Sequence, residues 1–379
     1  MPEAFASPPG PRLIFGPGKL RELPAAVRGV GGTGVFLVTD SGIVRAGHLD
    51  TALRLLTEAG LPAAVFAESR ENPTESDSAA CREAARAHRF DCIVAIGGGS
   101  SLDTAKACNF LLTNGGAMRD YHGYGKASRP LLPLIAIPTT AGTGSETQSY
   151  ALISRDGSHE KMACGDPKAL PAVAILDPDL TATLPHSTAL LSGMDALTHA
   201  IESAVCTKAN PVSSGHAEEA FRHIAAAIDR VVDGRPTADD RAHMLLGAAL
   251  AGTAIEHSML GAAHASANPL TARLGVVHGR AVATMLPHVI RFNATVPAAA
   301  DTYAHFSALL RLLKVSDLPL QQWLESLVRR CRFPALDPAS DFALLADDAT
   351  RQWTGKFNPR PLQREDFISL YRRASGIET

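Results

Sequence analysis

The sequence lacks charge of one sign: 36 Lys and Arg stand against 38 Asp and Glu, a formal net charge of −2. That excludes the basic footprint of a nucleic-acid binder or of a protein drawn to an anionic bilayer. Long apolar runs are missing too. The longest, Met244 to Ile255, falls short of the roughly 20 residues that cross a membrane, and Met1-Pro-Glu-Ala-Phe5 has neither the basic flank nor the apolar stretch of a secretory signal. The six cysteines form no C-x-x-C pair, so neither a disulfide framework nor a thiolate zinc site is expected. Any metal site must come from histidine and carboxylate. Aromatics make up only 5%, yet 46% of residues are hydrophobic, ample for a core in a chain of 379 residues. The expectation is a soluble, cytoplasmic protein of about two domains, with neither nucleic acid nor membrane as partner.

The first half alternates short β-branched runs with Ala-rich helical segments, the pattern of strands and crossover helices around a parallel sheet. Strands are predicted at Gly34–Thr39, Ala63–Phe66, Cys92–Ile96, Leu134–Ile137 and Ala172–Leu176, and helices at Leu49–Ala59, Ser76–Ala87 and Leu102–Leu112. After Leu184-Pro185 the texture changes. Ser187 to Ile255 is rich in Ala, Leu, His and Glu, and helical stretches recur at Phe306–Leu313, Leu318–Arg330 and Phe367–Arg373. The division is an α/β domain over 1–184 and a helical domain over 185–379.

In the first domain, Asp91-Cys-Ile-Val-Ala-Ile-Gly97-Gly98-Gly99-Ser100 runs from a buried strand through three glycines into a helix. Such a turn offers free N–H groups and a positive helix end to a phosphate; the alternative is a tight turn with Ser100 as helix cap. The spacing is not G-x-G-x-x-G. A carboxylate instead sits earlier, at the tip of the strand Val35-Phe-Leu-Val-Thr39-Asp40. There it can hydrogen-bond a ribose diol and repel a 2′-phosphate, favouring NAD over NADP; otherwise Asp40 opens a turn with Ser41-Gly42. A second polar loop, Pro138-Thr139-Thr140-Ala-Gly-Thr143-Gly-Ser-Glu146, also follows an apolar strand. Gly123-Tyr-Gly125-Lys126 looks like a phosphate loop, but Ala127 stands where a magnesium-binding hydroxyl belongs.

In the second domain, Asp195 and His199 are four apart in Gly193-Met-Asp195-Ala-Leu-Thr-His199-Ala-Ile-Glu202 and so share a helix face. Apolar neighbours make an unpaired buried Asp costly. His264 and His278 lie in similarly small and apolar settings, with Pro269 and Gly275 expected to break the helix between them. Three imidazoles and a carboxylate suit Fe(II), Zn(II), Co(II) or Ni(II). His257, seven residues before His264, is read as a wall or core histidine and His288 as structural.

Together these motifs, with Leu286-Pro287-His288 and Asn358-Pro359-Arg360-Pro361, resemble the iron-containing (group III) alcohol dehydrogenase family, whose relatives include glycerol dehydrogenase, maleylacetate reductase and dehydroquinate synthase. The resemblance implies an α/β N-terminal Rossmann-like dinucleotide-binding domain plus an all-α C-terminal domain, a dehydroquinate synthase-like fold. It places metal ligands at Asp195, His199, His264 and His278, and dinucleotide contacts at Asp40, Asn72, Gly98, Gly99, Ser100, Asp103, Thr139, Thr140, Thr143, Lys161 and Leu180. It implies NAD and a divalent metal, Fe(II) before Zn(II), and a homodimer or larger homo-oligomer. The implied reaction is hydride transfer between a small primary alcohol, or its aldehyde, and nicotinamide, with the metal as Lewis acid. Alternatives are reduction of an oxo-acid, hydroxyacid–oxoacid hydride exchange, or a dehydroquinate synthase-like lyase. One departure stands out: where many members carry a second histidine in H-x-x-x-H, this chain has Asn268, which cannot carry a proton at neutral pH. Either the proton leaves through water and the cofactor ribose, or His257 takes that role, or the substrate differs from the simple alcohols.

Overall fold

The computed structural model describes residues 10–157 and 160–377, and the chain folds as two compact units that meet in sequence at Leu184-Pro185. The first is built on a parallel sheet of β1 (Arg12–Phe15), β2 (Val35–Val38), β3 (Ala63–Phe66), β4 (Cys92–Gly97), β6 (Leu134–Pro138) and β9 (Val173–Leu176), in the order β1-β9-β6-β4-β2-β3. A smaller sheet joins β5 (Gly123–Tyr124), β7 (Tyr150–Ser154) and β8 (Lys161–Gly165). The glycines that imitated a phosphate loop thus lie at β5.

Helices α1 (Leu23–Gly29), α2 (Ser41–Arg45) and α3 (His48–Glu58) precede β3 or its neighbours, and α4 (Glu75–Arg86) and α5 (Gly99–Asn114) follow. Alternate residues of each central strand point to opposite faces. Val35, Leu37, Val94 and Ile96 pack with Leu23, Val27, Leu49 and Leu56 on one face, while Phe36, Val38, Ile93 and Ala95 meet Cys81, Ala85, Leu102 and Cys108 on the other. Because both faces are covered, the strands read as continuous apolar runs. The other side of α5 packs Ala107, Phe110 and Leu111 against the small sheet. That is why α5 is buried nearly all round, down to the fully buried Lys106.

Among the described residues the second unit is helical throughout its regular structure: α6 (His186–Val205), α7 (Pro211–Val232), α8 (Ala238–Glu256), α9 (Ala262–Leu274), α10 (His278–Asn293), α11 (Pro297–Leu312), α12 (Leu320–Arg330), α13 (Phe342–Thr350) and α14 (Arg364–Ala374). Side chains of Asn210 and Thr237 open α7 and α8 as capping boxes. Helix α6 packs on α7, α8 and α10, and α9 packs on α10 and α13. One expectation is corrected here. Pro269 does not break a helix but sits inside α9, which ends instead at Gly275 with φ 65°. Proline forfeits one helical hydrogen bond, and burial of Ala262 to Ala267, Pro269 and Leu270 offsets that loss. No helix among the described residues is long and apolar enough to cross a membrane.

Candidate active site

The strand order of the first unit reverses at β2 and β4: β3 lies to one side of β2, and β4, β6 and β9 follow on the other. Ligands of open α/β sheets collect beyond the carboxyl ends of strands at such a switch point. Asp40 and Gly97 stand there. The Ser101 hydroxyl donates to Asp40 Oδ2 at 2.8 Å, and Asp40 Oδ1 accepts from the N–H groups of Gly42 (2.8 Å) and Ile43 (3.2 Å). Asp40 therefore opens α2 as its cap while linking β2 to the glycine turn.

The Thr139 N–H donates to the Gly97 carbonyl at 3.0 Å, which brings the second polar loop to the same place. Thr143 fills the space where a side chain on Gly99 would go, since a Cβ there would lie 2.7 Å from Thr143 Cγ2. Thr140 lies beside Gly98 in the same way, at 3.3 Å. Helix α5 begins at Gly99 with Gly98 as its cap, so Ser100 is not the cap; its hydroxyl accepts from the Asn72 N–H at 3.3 Å instead. The N–H groups of Gly99 and Ser100, in the first turn, have no acceptor within the helix.

The structure thus assembles Asp40, Asn72, Gly98, Gly99, Ser100, Thr139, Thr140 and Thr143. Asp103, Lys161 and Leu180 stand differently. Asp103 is buried and accepts from the Ser145 hydroxyl at 2.7 Å; burial raises its carboxyl above the usual range against the pull of Lys106. The Lys106 ammonium reaches the carbonyls of Ser145 (2.7 Å), Gln148 (2.7 Å) and Tyr150 (2.9 Å), pinning the polar loop to α5. Lys161 lies on β8, near enough to Asp103 to lower its carboxyl slightly. Leu180 is a core side chain among Ile43 and Leu49.

In the second unit, Asp195 and His199 project one turn apart from α6, His264 from the first turn of α9, and His278 from the first residue of α10. Their ring nitrogens converge on one oxygen: the Nε2 atoms of His199, His264 and His278 lie 3.4, 3.4 and 3.7 Å from Asp195 Oδ1. The His199 and His264 rings stack at 4.8 Å, and His264 and His278 are 5.4 Å apart. Asp195, His199 and His264 are buried, and ligand atoms of these three lie within 4.8 Å of one another.

Asp195 Oδ1 and His264 Nε2 are buried without a hydrogen-bond partner. Such orphaned groups are costly unless something pairs them. Four donors each about 2.1 Å from one tetrahedral ion are about 3.4 Å apart, close to the 3.4, 3.4 and 3.7 Å that separate Asp195 Oδ1 from the three Nε2 atoms. The set fits a divalent cation. Burial alone would raise the Asp195 carboxyl, but the histidines, His199 first, outweigh it and hold the group ionised far below the usual range. Burial likewise lowers His264, while Asp195 and Glu202 raise it to about 9.

His257 does not join this cluster. It ends α8, its ring lies 6.1 Å from that of His216, and burial with His216 lowers its pKa. The Asn268 amide donates to Gln352 Oε1 at 2.9 Å. His288 is a half-buried residue of α10, driven down to about 4 mainly by burial.

The models of the iron-containing alcohol dehydrogenase domain and of the C-terminal domain of the same family match residues 9–178 and 189–375. The chain belongs to the iron-containing alcohol dehydrogenase family. It is 34% identical to alcohol dehydrogenase 4 of Schizosaccharomyces pombe (strain 972 / ATCC 24843) over 366 residues, 95% of this chain and 87% of that one. It is 33% identical to the NAD-dependent methanol dehydrogenase of Bacillus methanolicus over 300 residues, 79% of this chain and 78% of that one. Among solved structures it resembles a 1,3-propanediol oxidoreductase with a TM-score of 0.91 at 29% identity, covering 98% of this chain and 100% of the other. The parallel-sheet unit followed by a helical unit is the fold of this family.

Two residues that hold the site were not assigned a role from sequence. Glu202, one turn past His199, touches His264, and Asn358 reaches the start of α9. The three-residue step from His199 to Glu202 was the available signal for the first, since it puts both on one helix face.

Proposed function

We propose that this chain is a metal-dependent, NAD-linked alcohol dehydrogenase and aldehyde reductase that transfers hydride between a small primary alcohol, or its aldehyde, and nicotinamide. The observation that carries the proposal is the convergence of His199, His264 and His278 on Asp195 Oδ1. A divalent ion, Fe(II) in keeping with the family and Zn(II) with the same ligand types, supplies Lewis-acid polarisation of the substrate oxygen when bound.

The chain's own residues do the rest. Asp195 brings the anionic ligand and three neutral imidazoles complete the set, a donor mix that leaves the centre electrophilic. In the other unit, the N–H groups opening α5 hold the cofactor's pyrophosphate. Asp40 takes the ribose hydroxyls and repels a 2′-phosphate, which selects NAD over NADP. Asn72, Thr139, Thr140 and Thr143 line the same strand ends, and Asp103 with Lys106 keeps the threonine loop in place. Lys161 and the backbone at Leu180 are the outlying members of the cofactor set. Asn268 gives the substrate a hydrogen bond but no group that titrates near neutral pH, so the alcohol proton leaves through water.

The six cysteines, none of them in a C-x-x-C pair, suit a reducing compartment, the cytoplasm. The family resemblance supports a homodimer or larger homo-oligomer, which sedimentation equilibrium reads directly.

The test is NADH and NADPH oxidation with short neutral aldehydes and with their carboxylated analogues. Faster turnover of the neutral aldehydes with NADH is the expected result. Turnover confined to the carboxylated compounds would replace the proposal with oxo-acid reduction.

A further inference from the structure

Helix α9 carries His264 in its first turn yet has no side-chain cap of its own, because its N-cap is Gly261. Two distant side chains serve that end instead. Glu202, 3% exposed, accepts from the Ala263 N–H at 2.6 Å through Oε1, and its Oε2 lies 2.6 Å from His264 Nδ1. Asn358, also 3% exposed, accepts from the Ala262 N–H at 3.2 Å. Its carboxamide is fixed by two bonds with Asn293, at 3.0 and 2.7 Å, and by donation to the Arg360 carbonyl at 2.7 Å. A Cβ on Gly261 would lie 3.0 Å from both Asn358 Oδ1 and Glu202 Oε1, so the glycine leaves room for the two together.

An ionised carboxylate only accepts. With a cation in the site the ring keeps a single proton; opposite the Glu202 carboxylate that proton sits on Nδ1, and the lone pair is left on Nε2, the nitrogen 3.4 Å from Asp195. We infer that Glu202 and Asn358 are positioning residues for His264: Glu202 sets the tautomer that frees Nε2 for a metal ion, and Asn358 fixes the helix end that carries the ring. The inference rests on the reading of the four converging residues as metal ligands. It gives the Asn358-Pro-Arg-Pro segment, 96 residues from Ala262 in sequence, a purpose in the site.

The experiment is competition for Zn(II) between a chromophoric chelator and the full chain, comparing wild type with Glu202→Gln and Asn358→Ala, alongside thermal melting and NADH binding. In Glu202→Gln the amide cannot accept from both the Ala263 N–H and the His264 N–H through two anionic oxygens. Zn(II) affinity should fall roughly 10- to 100-fold, as losses of partners behind a metal ligand do, with NADH binding unchanged. Asn358→Ala should lose less, about fivefold, because it removes a helix cap and not the ring's own partner. In the Zn(II)-loaded wild type, ¹⁵N spectra of histidine should show the three ligand rings protonated at Nδ1, one of which changes in Glu202→Gln.

A folded Glu202→Gln with wild-type Zn(II) affinity would overturn the inference, as would a lower melting temperature with no change in affinity. Should Glu202→Gln fail to fold, Asn358→Ala decides by the same criterion. Wild type that takes up no Zn(II) would overturn the metal reading itself, and this inference with it.

Discussion

Gly279 lies against the backbone of Leu191: a methyl group on its Cα would fall 2.2 Å from the Leu191 carbonyl oxygen. Gly279 follows His278 at the start of α10, and Leu191 lies on α6, one turn before Asp195. The closeness of the two backbones therefore sets how near His278 comes to Asp195. Gly279→Ala should push the start of α10 away and destabilise the fold by about 1–3 kcal/mol, the usual cost of overpacking. Weaker Zn(II) binding should accompany the loss, and thermal melting with Zn(II) competition reads both.

Asp40 caps α2 and stands at the strand switch. Asp40→Ser keeps a capping oxygen but removes the charge that repels a 2′-phosphate. The ratio of kcat/KM for NADPH to that for NADH should rise, while the melting temperature changes little. An unchanged ratio would leave Asp40 with the cap alone.

Asn268 holds Gln352 and does not titrate. Asn268→His breaks that bond and adds a group with an ordinary pKa of about 6.5. A new limb near that pH should appear in the kcat profile. A profile identical to wild type would place residue 268 outside the proton path of the variant as well.

His288 gives a stability test with a defined sign. Burial, then Arg291, drives its folded-state pKa to about 4, below its unfolded value of about 6.5. Between these values the unfolded chain binds the proton first, so stability falls as pH drops from 6.5 towards 4. The slope from this one group is at most about 1.4 kcal/mol per pH unit. Urea unfolding at pH 7, 5.5 and 4.5 should show a shallower decline in His288→Gln than in wild type.

The sequence made the central sheet legible because its strands are buried on both faces and so read as unbroken apolar runs, as in Cys92–Gly97. It hid β1, a four-residue edge strand whose Leu13 and Phe15 are exposed. The small sheet was hidden too, since Lys161–Gly165 mixes a charge with small residues. Pro269 misled because tertiary burial outweighed its local cost.

In the site, the i, i+4 step from Asp195 to His199 is a local signal that needs no fold. The approach of His264 and His278 is not, for it depends on glycine contacts between helices. Glu202 contacts Ala263 across 61 residues and Asn358 contacts Ala262 across 96. Such pairs have no periodicity to read.

Dependence of hydride transfer on the Asp195 centre is read by aldehyde-dependent NADH oxidation with chelator-stripped protein, before and after anaerobic return of Fe(II) or Zn(II), with Asp195→Ala in parallel. Silence is expected without metal, turnover on its return in wild type, and continued silence in Asp195→Ala although that variant still binds NADH. Undiminished turnover by the stripped wild type, or by Asp195→Ala, would contradict that dependence.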